Sequence, residues 1–74
     1  VQAGRYNVQL AIAYLKQGEL AIAREKIERA LQQVPRDPSA HTTAGLVYER
    51  LGEERLADRH YANAVRLDPR NPEV

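Results

Sequence analysis

The stretch Tyr14-Leu15-Lys16-Gln17-Gly18-Glu19-Leu20-Ala21-Ile22-Ala23 decides the fold, because 34 residues later the chain reads Tyr48-Glu49-Arg50-Leu51-Gly52-Glu53-Glu54-Arg55-Leu56-Ala57. Tyr, Gly, Glu and the closing Ala return in register. Outward from that core, Ala30 falls on Ala64, Pro35 on Pro69 and Arg36 on Arg70. Where identity is lost the residue class often survives: Ile12 meets Leu46, Lys16 meets Arg50, Leu31 meets Val65 and Asp37 meets Asn71. A fixed period of this size is the mark of stacked repeats, in which each unit buries its apolar face only against a neighbour. That architecture implies a protein that holds other proteins.

Each period reads as two helices around a glycine turn. Val8, Leu10, Ala11, Ile12, Tyr14 and Leu15 predict a helix from about Arg5 to Gln17, ended by Gly18, which supplies the positive φ of a tight turn. Leu20, Ala23, Ile27, Ala30, Leu31 and Val34 recur at helical spacing and predict a second helix over 20–34. Glu25 and Arg29 add an i,i+4 pair on its exposed face. The second period predicts helices over 38–51 and 54–67, with Gly52 at the turn. Asp37 and Pro38 open that period as N-cap and first helical residue. Ala23, Ala30, Ala57 and Ala64 permit close helix approach, while Tyr14, Ile27, Tyr48 and Tyr61 fill the space beside them. Period-2 alternation is absent, which argues against strands. The expected fold is therefore all-α, with tandem antiparallel helix pairs. Its units span residues 4–37 and 38–71. Asn71-Pro72-Glu73 repeats the opening signal, so residues 72–74 are expected to start a third unit of a longer parent protein.

The 74 residues carry a net charge of +1, no cysteine and no long apolar run. That balance gives no bulk attraction to nucleic acid or an acidic bilayer, and excludes disulfides and thiolate ligands. No segment here is expected to insert into a membrane.

The two copies resemble the tetratricopeptide repeat. The first reads Leu10-Ala11-x-x-Tyr14, Gly18, Ala23-x-x-x-Ile27-x-x-Ala30 and Pro35; the second reads Ala44-Gly45-x-x-Tyr48, Gly52, Ala57-x-x-x-Tyr61-x-x-Ala64 and Pro69. Asn7 and His41 stand where that family usually opens with Trp, which is expected to loosen packing at the start of each repeat. A narrower resemblance joins Gln9-Leu10-Ala11-x-x-Tyr14-Leu15-x-Gln17-Gly18, Leu56-Ala57-Asp58-x-x-Tyr61 and Leu67-Asp68-Pro69-x-Asn71. These phrases look like the tetratricopeptide lipoproteins of type IV pilus biogenesis, the pilotins, which help the pilus secretin assemble in the outer membrane. That likeness implies a place on the periplasmic face of the outer membrane, with the lipid-bearing Cys upstream of Val1. The alternatives are a cytoplasmic adaptor of the same repeat class and the interaction domain of a larger enzyme.

In the repeat family the first helix of each pair lines a concave groove. The resemblance therefore points to Arg5, Val8, Gln9, Ile12, Leu15 and Lys16, then Ser39, Thr42, Thr43, Leu46, Glu49 and Arg50, as the protein-binding face. Val8 and Ile12 occupy places where some members carry the Lys and Asn of a carboxylate clamp, so two readings stand side by side. Either the groove takes an apolar or helical segment through Val8, Ile12, Leu15 and Leu46 with Lys16 and Arg50 at the rim, or Leu15 and Ile12 only cover the neighbouring repeat. On the first reading, Asp at both Val8 and Ile12 is expected to abolish partner binding while sparing helicity.

Arg55, Arg59 and Arg66 share one side of the last helix, near His60, and read as a solvated face. Three arginines without interleaved aromatics fall short of a nucleic-acid stripe. His41 and His60 lie 19 residues apart with no third ligand at useful spacing, so no metal site is expected. His41 is expected to plug the gap left by the missing Trp, and His60 to lie on the surface. With isolated glycines and a single Ser, neither a phosphate loop nor a catalytic triad can be assembled, and no enzyme activity or cofactor is expected. Two repeats alone are expected to self-associate, or swap helices, through Leu56, Tyr61 and Val65.

Overall fold

The computed structural model describes residues 2–69, which form four helices: α1 (Gln2–Lys16), α2 (Leu20–Gln33), α3 (Pro38–Arg50) and α4 (Glu54–Leu67). No strand occurs among the described residues. The boundaries match those read from the sequence to within a residue, except that α1 starts at Gln2 instead of Arg5. Gly4 allows that extension: a Cβ there would sit 2.7 Å from Val34 Cγ1, so only glycine lets the first turn of α1 lie against the end of α2. The third repeat expected from residue 72 lies outside the described residues.

Both turns within the hairpins close in the same way. Gly18 and Gly52 adopt φ of 78° and 81°. Gly18 N–H donates to the Leu15 carbonyl and Glu19 N–H to the Tyr14 carbonyl; Gly52 and Glu53 donate likewise to Glu49 and Tyr48. This pairing satisfies the orphan carbonyls at a helix end, and it requires a left-handed residue at the glycine position. Between the hairpins the device differs. Asp37 caps α3 by accepting from Ser39 N–H at 2.9 Å, with Pro38 in the first helical turn.

The packing is hierarchical. α1 pairs with α2 and α3 with α4, while α3 also rests on α2 and α1; α4 pairs with α3 alone. A stripe of Gly4, Asn7, Val8, Ala11 and Leu15 turns the inner face of α1 to the core. There it meets Ala23, Ile27 and Ala30 of α2 and Ala40, Ala44, Val47 and Tyr48 of α3. So many fully buried alanines mean that the backbones approach closely, with Ile27 and Val47 the largest side chains wholly removed from water.

The two positions that lack the family's Trp are not voids. Asn7 is buried and donates from Nδ2 to Gln33 Oε1 on α2 at 2.8 Å. His41, 8% exposed, bridges to the α2–α3 turn and to α4. Polar bridges replace the aromatic plug.

Candidate interaction face

The residues expected to line a groove divide into three groups. Arg5, Val8, Gln9 and Ile12 of α1 come together with Asp37 and Ser39 around a cleft of about 430 Å³, between α1 and the start of α3. Arg5 also edges a neighbouring recess formed with Val34, Pro35, Arg36, Asp37 and Pro38. Lys16 and Arg50 are exposed at the last turns of α1 and α3. Leu46 is 41% exposed, a large apolar group left to solvent in the middle of α3.

The second group is claimed by the core. Val8, Leu15 and Thr43 are only 5%, 6% and 4% exposed. Val8 contributes an edge to the cleft, but its side chain belongs to the packed cluster with Ala11 and Leu15. Asp at position 8 would therefore put a carboxylate in the core and unfold the chain, contrary to the expectation that helicity would survive. Helical spacing does not separate the inner edge of the stripe from its outer edge. Ile12, half-buried, marks the outer edge.

The third group is already engaged. Thr42 Oγ1 donates to the Pro38 carbonyl at 3.0 Å. Glu49 accepts from the Tyr61 hydroxyl at 2.9 Å, tying α3 to α4. Burial and that carboxylate together push the Tyr61 phenol up to about 12.

Away from the cleft, a polar and aromatic stack joins α4, α3 and α2. His41 Nδ1 lies 2.9 Å from His60 Nδ1, and His41 Nε2 lies 2.7 Å from the Pro35 carbonyl. The His41 and His60 rings stack with centroids 5.2 Å apart, and His60 stacks on Tyr48 at 5.5 Å. The Tyr48 hydroxyl donates to Glu28 Oε2 at 2.8 Å, and Arg24 Nε donates to the same oxygen at 3.0 Å. Burial and the hydrogen bond to Glu28 push the Tyr48 phenol up to about 12. The hydrogen bonds from Arg24 and Tyr48 hold the Glu28 carboxyl below its usual range, against the opposing effect of burial.

The His60 imidazole is held below its ordinary range, first by burial, then by His41 and Arg59. His60 is thus not the surface residue that the sequence suggested. It was missed because its partners, His41 and Tyr48, sit 19 and 12 residues away on another helix, and spacing along α4 gives no sign of either.

Arg55, Arg59 and Arg66 are exposed, and Val65 is 42% exposed on the face of α4 that α3 leaves uncovered. Among the described residues, no three His, Asp or Glu side chains gather where they could hold a metal ion, and no helix is long and apolar enough to cross a membrane.

The pattern of hairpins has known counterparts. A family model described as tetratricopeptide repeat matches residues 5–46. Over 67 residues the chain is 33% identical to the type IV pilus assembly protein PilF of Pseudomonas aeruginosa, in an alignment covering 90% of this chain and 27% of that protein. The chain thus spans about a quarter of the length of the curated relative it matches.

Proposed function

The chain belongs to the tetratricopeptide repeat family, and from that premise we propose that it is a protein-binding scaffold of type IV pilus assembly, acting as a pilotin does on the pilus secretin. Its two repeats, residues 4–37 and 38–71, present a partner to the cleft between α1 and the start of α3. The observation that carries the pilus reading is the likeness to a pilus assembly protein along nearly all of this chain. On this reading the parent works at the periplasmic face of the outer membrane.

The chemistry of the exposed face suits a protein segment with one apolar side. Ile12 in the cleft and exposed Leu46 offer apolar contact; Arg5 lines the cleft together with Asp37, and Lys16 and Arg50 are exposed four residues beyond Ile12 and Leu46 on their helices. Such a face favours a helix or extended segment bearing apolar anchors and flanking carboxylates.

The test is co-purification of the parent protein with the outer-membrane secretin of its own pilus system, using wild type and an Ile12→Asp, Leu46→Asp double variant. Leu46 is exposed, whereas Ile12 edges the cleft while packing against the core, so the variant's helical circular dichroism is checked first and Leu46→Asp alone replaces it if the double variant unfolds. Loss of secretin from the variant supports the reading. Equal recovery removes the cleft from the interaction, and no recovery with wild type removes the secretin.

A further inference from the structure

His41 stands where three elements cross. It belongs to α3, holds the Pro35 carbonyl of the α2–α3 turn with Nε2, and faces His60 of α4 with Nδ1. A carbonyl only accepts, so Nε2 carries a proton and neutral His41 presents a bare Nδ1. His60 must then donate from its own Nδ1. The two contacts together fix the tautomers of both rings.

Counting protons shows what this pair tolerates. One extra proton fits: it goes to Nε2 of His60, and the Nδ1–H of His60 still meets the bare Nδ1 of His41. A second extra proton does not fit. It would set two N–H groups against each other across 2.9 Å, on two cationic rings whose centroids are 5.2 Å apart.

Around His60 the charges do not relieve that conflict, while in the α2–α3 turn Arg36 is exposed and the Asp37 carboxylate, one helical turn from His41, is engaged by Ser39 N–H. On α4, Arg59 opposes a charge on His60. On α3, Tyr48 stacks on His60 and carries no charge in this pH range. From α2, Arg24 lies over the Tyr48 ring at 5.9 Å, and Glu28 is engaged by Arg24 and by the Tyr48 hydroxyl. The pair also ties α4 directly to the helix that seats on the first hairpin, at the end where His41 grips the turn.

We propose that the His41–His60 pair is a proton-sensitive latch, which seats α4 against α3 beside the α2–α3 turn that His41 holds while at least one ring is neutral, and releases α4 when both rings are charged. The sign follows from linkage. A base that the folded state keeps neutral binds more protons when unfolded, so its stabilisation is complete above the ordinary histidine value of about 6.5 and is lost as pH falls below it. With one proton excluded, the folding constant drops by up to about tenfold per pH unit in that window.

The experiment follows the histidine Cε1–H resonances of the 74-residue chain by NMR from about pH 8 to about pH 4.5, with amide exchange measured at each step. The expected result is two coupled steps, the second well below the first, with α4 amides losing protection at the second step before those of α1. Two independent titrations near the ordinary histidine value would overturn the latch. So would α4 protection that stays level with α1 throughout. His60→Phe keeps a ring against Tyr48 but takes up no proton, and it should flatten the dependence of the denaturation midpoint on pH; a slope equal to wild type also refutes the proposal. If that variant fails to fold, the wild-type resonances and exchange rates decide alone.

Discussion

Replacing Gly45 with Ala is expected to destabilise the chain, although alanine is the better helix former. Gly45 lies inside α3, and a Cβ there would sit 2.5 Å from Tyr61 Cε1, 2.7 Å from Cδ1 and 2.7 Å from Cζ. Carbon pairs rest at about 3.5–4.0 Å, so the ring must retreat by about 1 Å. Retreat carries the Tyr61 hydroxyl away from Glu49 and moves a half-buried ring toward water. Overpacking of this kind costs about 1–3 kcal/mol, while removing a mid-helix glycine returns up to about 1 kcal/mol. The net loss should be about 1–2 kcal/mol, and each kcal/mol lowers Tm by about 4–8 °C in a domain of this size. Thermal and urea denaturation followed by circular dichroism reads the effect, and a double-mutant cycle with Tyr61→Val isolates its cause. Valine has no atoms where the ring conflicts, so in that background Gly45→Ala should be neutral or mildly stabilising. The reasoning fails if Gly45→Ala alone is as stable as wild type, or if its cost persists beside Val at position 61.

Gly52→Ala separates backbone strain from crowding. Nothing lies within 4 Å of the Cβ position at Gly52, but its φ is 81°, so a loss of about 1–2 kcal/mol is expected that Tyr61→Val leaves untouched. Ile27→Ala empties a fully buried site and should cost about 2–5 kcal/mol in urea denaturation, whereas Val65→Ala on the uncovered face should stay within about 0.5 kcal/mol. At high pH, Tyr48 and Tyr61 hold their protons up to about 12 when folded but release them near 10 when unfolded. The stability they add is complete below about 10 and is lost as pH rises toward about 12, so the denaturation midpoint should fall across that range and fall less steeply in Tyr48→Phe.

The fold was legible because its determinants are local or periodic. Gly18 and Gly52 mark turns that depend on one residue's φ, and Asp37-Pro38 announces a cap that involves only Ser39 two residues on. The alanine positions follow a helical period, so the faces that meet could be named before their partners were known. The candidate site was less legible, since a stripe predicts a side of a helix and not how far the neighbouring helix reaches around it. Val8 and Leu15 share the stripe with Ile12, yet the approach of α2 and α3 covers the first two and leaves Ile12 at the edge. Glu49 is expected on the binding face, and its engagement cannot be read from the stripe because its partner, Tyr61, lies across the hairpin.

The repeat itself explains why the histidine stack falls where it does. Positions 7 and 41 are equivalent under the 34-residue shift, and both point into a junction that a Trp would fill with apolar surface. A smaller polar side chain there leaves room, and its buried nitrogen must find a partner. Asn7 finds one in Gln33, a neutral amide whose hydrogen bond is the same at every physiological pH. His41 finds two, the Pro35 carbonyl and His60, and both demands fall on a ring that can gain a proton. The first repeat is therefore closed by a bond indifferent to acid and the second by one that is not. Loss of order on acidification should accordingly begin in α4, farthest from the Asn7 bridge, and the α1–α2 hairpin should persist after α4 has loosened.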